Sequence, residues 1–171
     1  MPQRPSISVF IIARDEADRI GAAIDSVSIF ADEVIVIDSG SRDETCAVAE
    51  ARGARVLYNP WPGYGPQKRF GEDACTNDWL FNLDADEAVT PELAAEILKL
   101  RDSGRMTDCA FWQVAIRDVF AHESRPAPWA YGYIQIRLYD RRAGRFSRAA
   151  SFTPLPSASG SMQSRLYRLP M

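Results

Sequence analysis

Asp84 and Asp86, separated by Ala85, stand directly after the apolar run Trp79-Leu80-Phe81-Asn82-Leu83. Two carboxylates one residue apart can share a hard cation, because Mg2+ and Mn2+ prefer oxygen ligands such as carboxylate and phosphate. A cation held there would bridge two phosphates and stabilise charge on a departing diphosphate. The pair is a weak signal by itself, since aspartates are common where strands run out into solvent. Two other segments strengthen it. Arg14-Asp15-Glu16 follows the run Ile7 to Ala13, and Asp38-Ser39-Gly40-Ser41 follows Val34-Ile35-Val36-Ile37. Asp38 can accept hydrogen bonds from a base or a ribose hydroxyl, and Ser39 and Gly40 let the chain turn tightly. Asp38 and Asp43 are equally suited to capping a helix. Lys68 and Arg69 can reach a diphosphate if their helix faces it. Trp61 and Tyr64 can line a sugar site or simply anchor a loop. His122, the one histidine, precedes Glu123 in a polar stretch and has the chemistry of a metal ligand or an acceptor-positioning group.

These segments meet only if the apolar runs before them are neighbouring strands of one sheet. Ile7 to Ile12 reads as a buried strand. Ile20, Ala23, Ile24, Val27 and Phe30 then recur at helical spacing between Glu16 and Phe30. Val34 to Ile37 is a second strand, followed by a helix from near Asp43 that ends at Gly53. Arg55 to Tyr58 is a third strand, and Asn59-Pro60-Trp61-Pro62-Gly63 a loop that cannot be helical. A helix from about Pro66 to Cys75 leads into the fourth strand, Trp79 to Leu83. Thr90-Pro91-Glu92 starts another helix, with Thr as N-cap and Pro in the first turn, running to about Asp102 and stopping at Gly104. This alternation predicts an α/β fold with a mainly parallel central sheet flanked by helices. Ligands of such sheets bind beyond the carboxyl ends of the strands, where all three acidic segments lie.

Past residue 105 the pattern changes. Phe111 to Phe120 and Tyr133 to Tyr139 read as longer strands joined through the proline-bearing stretch Ser124 to Trp129. Asp140 to Phe146 reads as a hairpin turn into a short last strand. From Ala149 to Ser164 the composition turns to Ser, Ala and Pro with no periodicity. The expectation is therefore one domain over residues 1–147, changing pattern after residue 104, followed by an irregular or disordered tail at 148–171.

Composition bounds the function. A chain of 171 residues, 46% hydrophobic and 25% charged, has the make-up of a single globular domain. Its longest apolar run falls far short of the ~20 residues a membrane span requires, and no signal-peptide pattern opens it. Cys46, Cys75 and Cys109 match no zinc spacing and read as reduced thiols of a cytoplasmic protein. Residues 1–100 carry 9 basic and 18 acidic side chains, whereas residues 101–171 carry 11 arginines and 5 acids. That asymmetry either neutralises itself across the fold or gives a basic face for a phosphate-rich acceptor or an anionic membrane surface. Nucleic acid is disfavoured, because no recognition motif accompanies the basic residues.

Four segments in order resemble family 2 glycosyltransferases: Ile7 to Glu16, Val36 to Asp43, Gln67-Lys68-Arg69-Phe70, and Trp79 to Glu87. More narrowly the chain is similar to the β-glucosyltransferases of lipopolysaccharide core biosynthesis, over about residues 5–147. The resemblance implies a GT-A fold with a donor-binding half at 1–104 and a partial acceptor half at 105–147, a UDP-sugar donor, Mg2+ or Mn2+, an inverting transfer to a lipopolysaccharide-core or related glycan, and a cytoplasmic enzyme in peripheral contact with the inner membrane. It implies that Ala13, Arg14, Asp15, Glu16 and Asp38 contact uridine, with Ser39 and Gly40 shaping the turn. It further assigns Asp84 with Ala85 to the ribose or diphosphate and Asp86, supported by Asp84, to the metal. An inverting reaction needs a general base for the acceptor hydroxyl, and Asp118 and Glu123 are the nearest candidates.

Asp15 stands where many relatives carry Asn, a change that should preserve the loop. A larger departure follows Ser147. Relatives continue with a Val-His-acid segment and a basic amphipathic region, whereas this chain runs through Arg148-Ala149-Ala150-Ser151 into the Ser/Pro stretch. A truncation or frameshift after about Ser147 would give that pattern, leaving a catalytically weak nucleotide-sugar-binding remnant. The competing enzyme class is the haloacid-dehalogenase phosphatases, whose Asp-x-Asp follows the first strand rather than the fourth.

Overall fold

The computed structural model describes residues 4–121, 123, 125–147, 149, 152–154 and 159–168. Strand β1 (Ile7–Ala13) is buried along its whole length. Helix α1 (Ile20–Val27), β2 (Glu33–Asp38), α2 (Thr45–Ala51), β3 (Arg55–Tyr58), α3 (Tyr64–Ala74) and β4 (Trp79–Asp84) follow in the alternation the sequence predicts. Then come β5 (Glu87–Val89), α4 (Pro91–Asp102), a 3-10 turn (Arg105–Asp108), β6 (Phe111–Asp118), β7 (Gly132–Asp140), β8 (Gly144–Phe146), β9 (Phe152–Pro154) and β10 (Ser159–Arg168). Eight strands form one sheet in the order β3-β2-β1-β4-β7-β6-β10-β5, and β8 pairs with β9 apart from it. The first four neighbours are parallel, as is β6 with β10; β7 runs against β4 and β6, and β5 against β10.

Two apolar layers cover this sheet because successive side chains of a strand point to opposite faces. Ile7, Val9, Ile11 and Ala13 pack with Ile20 and Ile24 of α1 and with Leu93 and Ile97 of α4. Phe10 and Ile12 face the other way, with Ile35, Ile37, Phe111 and Tyr139. A strand buried on both faces must read as a continuous apolar run, which is how β1 was recognisable. Its one polar residue, Ser8, is satisfied internally: its hydroxyl donates to Glu33 Oε2 at 2.6 Å and accepts from the Asn77 backbone and side chain. Thr90 caps α4 as expected, its Oγ1 accepting the Leu93 N–H at 3.2 Å. The three cysteines are free thiols, and burial pushes Cys75 up to about 12.

Three sequence expectations need correction. The short β5, between the acidic motif and Thr90, was not foreseen; three residues carry no readable periodicity. The strand after the hairpin turn is not the last, since β8 pairs with β9. The stretch 148–171, expected to be irregular, contains β9 and β10, and β10 stands inside the main sheet between β6 and β5. Its strand form is stabilised by ladder bonds to a neighbour on each side rather than by an apolar pattern of its own. Two residues help it settle: Met162 is buried in the core beneath α4, and Gly160 leaves space that the Trp112 ring fills, where an added Cβ would stand 2.4 Å from the ring.

Helix α3 lies against β1 through Gly71. A Cβ at that position would meet the buried Phe10 ring at 2.6 Å. Gly71→Ala should therefore lower stability by about 1–2 kcal/mol, the overpacking cost exceeding the helix-propensity gain of alanine. A urea melt with a lower midpoint and unchanged slope would show it, and a raised midpoint would refute it.

Candidate functional site

The carboxyl ends of β1, β2 and β4 come together at one sheet edge, as the acidic segments required. They border a cleft of about 500 Å³. Ala13, Arg14 and Glu16 line it from the β1 end, Ser39 from the β2 end, Lys68 from α3, and Asp84, Ala85 and Asp86 from the β4 end. Trp61 and Tyr64 form an edge-to-face pair at its side, ring centroids 4.8 Å apart, and Arg168 reaches in from β10.

Asp15 and Asp38, expected to contact uridine, and Gly40, expected to shape the turn, do not border the cleft but build its walls. Asp38 is buried, and its carboxylate accepts the Gly40 N–H at 2.9 Å, the Ser41 N–H at 3.1 Å and the Ser41 hydroxyl at 2.5 Å. Gly40 takes a φ of +100°, which this tight return of the chain requires. Asp15 is the one non-glycine residue in the left-handed region among those described, at φ +54°, a conformation that Asp and Asn tolerate. Its carboxylate accepts the Arg42 N–H at 2.7 Å, and its own N–H donates to Ser41 Oγ at 2.9 Å. Glu16 N–H donates to Thr45 Oγ1 at 2.7 Å and Ala17 N–H to Asp43 Oδ2 at 3.0 Å. The first two loops are thus joined side chain to backbone. Gln67 extends the join to α3: buried, it donates to Ser39 Oγ and the Asn59 carbonyl and accepts from the Asn59 amide.

Beneath the cleft floor lies a charge cluster. Arg137, on β7, is 1% exposed. Its guanidinium donates to the Asn82 carbonyl and side chain at 3.2 Å, to Asp84 Oδ2 at 3.3 Å and to Glu87 Oε1 at 2.6 Å. Lys68 donates to Asn82 Oδ1 at 2.8 Å and Asp84 Oδ1 at 3.1 Å. Glu87 also accepts the Asp84 N–H at 3.0 Å, which turns the chain back after β4. Burial by itself would raise the Asp84 carboxyl, but Arg137 and then Lys68 outweigh it and hold the group well below the usual carboxylate range. Burial pushes Glu87 up, with Arg137 opposing and Asp84 adding to the rise. Burial also lowers the Lys68 ammonium against the pull of Asp84.

Both oxygens of Asp84 are therefore engaged by cations, and Asp86 is the carboxylate of the pair left at the cleft wall. Among the described residues no three His, Cys, Asp or Glu side chains gather into a cluster able to hold a metal unaided. Asp118 ends β6 opposite Arg168 of β10, and one of its carboxylate oxygens is buried without a hydrogen-bond partner. Glu123 is exposed in the following loop, and neither it nor Asp118 borders the cleft. His122 lies outside the described residues. No helix among the described residues is long and apolar enough to cross a membrane.

Arg137, Glu87 and Arg168 were not singled out from the sequence. Arg137 did carry a signal: an arginine between Ile136 and Leu138 in a strand must find an acid, because a buried unpaired charge is too costly. Arg168 carried none, standing in a stretch without periodicity.

The sequence pattern described as "Glycosyl transferase family 2" matches residues 8–162. An uncharacterized glycosyltransferase of Rickettsia felis is 40% identical over 147 residues, covering 86% of this chain and 52% of that protein. The lipopolysaccharide core biosynthesis glycosyltransferase LpsC of Rhizobium meliloti is 34% identical over 156 residues, again covering 86% of this chain and 52% of the relative. The chain thus spans about half the length of the curated relatives it matches. Among solved structures, glucosyl-3-phosphoglycerate synthase from Mycobacterium tuberculosis, in complex with Mn2+, UDP and glucosyl-3-phosphoglycerate, superposes with a TM-score of 0.50 at 27% identity, covering 69% of this chain and 45% of that one.

The charge cluster makes a stability prediction. Arg137→Met strands two buried carboxylates and should cost about 3–5 kcal/mol. Adding Glu87→Gln, which removes one stranded charge, should recover part of that loss. Urea denaturation of both variants checks it; a double variant no more stable than the single would refute the pairing.

Proposed function

The chain belongs to glycosyl transferase family 2, and from that membership we propose that its cleft binds a UDP-sugar and that the protein moves a hexose from it, with inversion, to a lipopolysaccharide-core or related glycan. The observation that carries this reading is the convergence of three strand-end segments and Lys68 on one cleft. The Rhizobium meliloti relative supports the acceptor class by its name, and the Mycobacterium tuberculosis enzyme, holding UDP and Mn2+, supports the donor and the cation.

In this reading Ala13, Arg14 and Glu16 take the uridine, with Asp15, Asp38 and Gly40 holding the loops that shape its slot. Lys68, anchored by Asp84 and Asn82, is the cation nearest the cleft floor and faces the diphosphate. A Mg2+ or Mn2+ ion fits the site only as an ion shared with the donor: Asp86 offers hard oxygens, Asp84 is committed to Arg137 and Lys68, and diphosphate oxygens would complete the ligand set. When bound, that ion would neutralise charge on the departing diphosphate. Trp61 and Tyr64 would shield the sugar from water. Of the two candidate bases, Asp118 is favoured by its buried, unpartnered oxygen and its place opposite Arg168, which lines the cleft; the acceptor would then approach over the loop joining β6 and β7, where Phe120, Trp129 and Tyr131 are exposed. The basic character of this half and those aromatics suit a peripheral approach to a membrane surface.

Calorimetric titration with UDP tests the donor site. Mn2+ should tighten UDP binding, and Asp86→Ala should abolish that tightening, a difference of about tenfold in Kd; absence of UDP binding by the unmutated chain in every condition would overturn the reading. Transfer is tested with a panel of UDP-hexoses. Asp118→Asn should lower turnover by about 10²–10⁴-fold, the usual contribution of a general base, whereas Glu123→Gln should leave it nearly unchanged; the reverse order would reassign the base.

A further inference from the structure

Arg168 is a cation in the cleft that no part of the family pattern supplies, since the matched residues end at 162. Strand β10 delivers it by pairing Arg168 with Asp118 on one side and Glu87 on the other, and the Val119 N–H donates to its carbonyl at 3.0 Å. The guanidinium is held in one orientation. Its Nη2 donates to the Tyr133 hydroxyl at 2.6 Å and stands 3.9 Å from Glu87 Oε1, and the group lies over the Tyr133 ring, 5.7 Å from its centre. Its Nε stands 3.6 Å from Asp86 Oδ2, beyond hydrogen-bond range, and is buried with no hydrogen-bond partner.

A buried N–H of a charged group left unpaired is costly, so this donor asks for an oxygen that enters the cleft. The same guanidinium also offsets Asp86, whose negative charge would otherwise repel a diphosphate. Both properties are those of a divalent cation at this carboxylate. We propose that Arg168 is a resident counter-charge for the donor diphosphate: it shields the phosphates from Asp86 when no metal is bound, and Mg2+ or Mn2+ must compete with it for that carboxylate. The proposal rests on the reading of the cleft as a UDP-sugar site.

Two affinities of the full chain test it. Mn2+ titrated without nucleotide and followed by the loss of its free electron-resonance signal should bind Arg168→Gln about tenfold more tightly than the unmutated protein, because the competitor is gone. UDP titrated in EDTA should bind Arg168→Gln about tenfold more weakly, the loss of a charge-assisted contact. Circular dichroism establishes that the variant is folded. Asp86→Asn provides a test that leaves Arg168 intact: in EDTA it should bind UDP more tightly than the unmutated protein, since the repulsive charge is removed. An unchanged Mn2+ affinity in Arg168→Gln, unchanged UDP affinity in EDTA, or no tightening in Asp86→Asn would each overturn the proposal. UDP binding that needs Mn2+ in the unmutated protein overturns it while sparing the donor site, whereas no UDP binding under any condition sinks both.

Discussion

The pairing of Arg137 with Asp84 and Glu87 is the constraint on which the site depends. A guanidinium that is 1% exposed is tolerable only where acids and carbonyls meet it on several sides. Those partners come from β4 and from the start of β5, so one side chain of β7 fixes both strands and the turn between them. The cost of desolvating these charges is recovered through geometry: Asp84 is oriented by two cations at once, and the chain beyond it is turned so that Asp86 faces the cleft. A hydrophobic cluster of equal volume could hold β7 against β4, but it could not aim that turn.

The acidic segments at the sheet edge divide the work in a way their composition conceals. Asp38 and Asp15 spend their oxygens on backbone N–H groups, and so make two adjoining loops rigid. Glu16, Asp86 and Lys68 remain at the surface of the cleft. Rigid walls and a few open polar groups are what a site for a charged ligand requires, because donors that are already oriented need no reorganisation when charge arrives.

How much of this the sequence disclosed follows from the range of each interaction. Strands β1, β2 and β4 are buried on both faces, so their apolar runs stand out locally, and the acids after them mark the same edge. The Thr90-Pro91 start of α4 is equally local. Arg137 is different: its meaning lies in Asp84 and Glu87, distant in the chain, and only the strand order β4-β7 makes them neighbours. That Asp38 would hold a loop rather than face the cleft depended on Ser41 folding back over it. Strand β10 was least visible, because Ser159-Gly160-Ser161 has no apolar alternation and takes its form from β6 and β5.

The place of β10 in the sheet also bears on how the molecule assembles. The units from β1 to β3 are built from neighbours close in sequence and can collapse as they emerge during synthesis. Strand β5 cannot: its hydrogen-bonded partner is the segment from Leu166 to Arg168, far downstream in the sequence. The edge of the sheet therefore stays open until the segment up to Arg168 has been made. Closure of that edge and arrival of Arg168 in the cleft are one event, so a folding intermediate that lacks β10 would carry the cleft walls with an unbalanced Asp86.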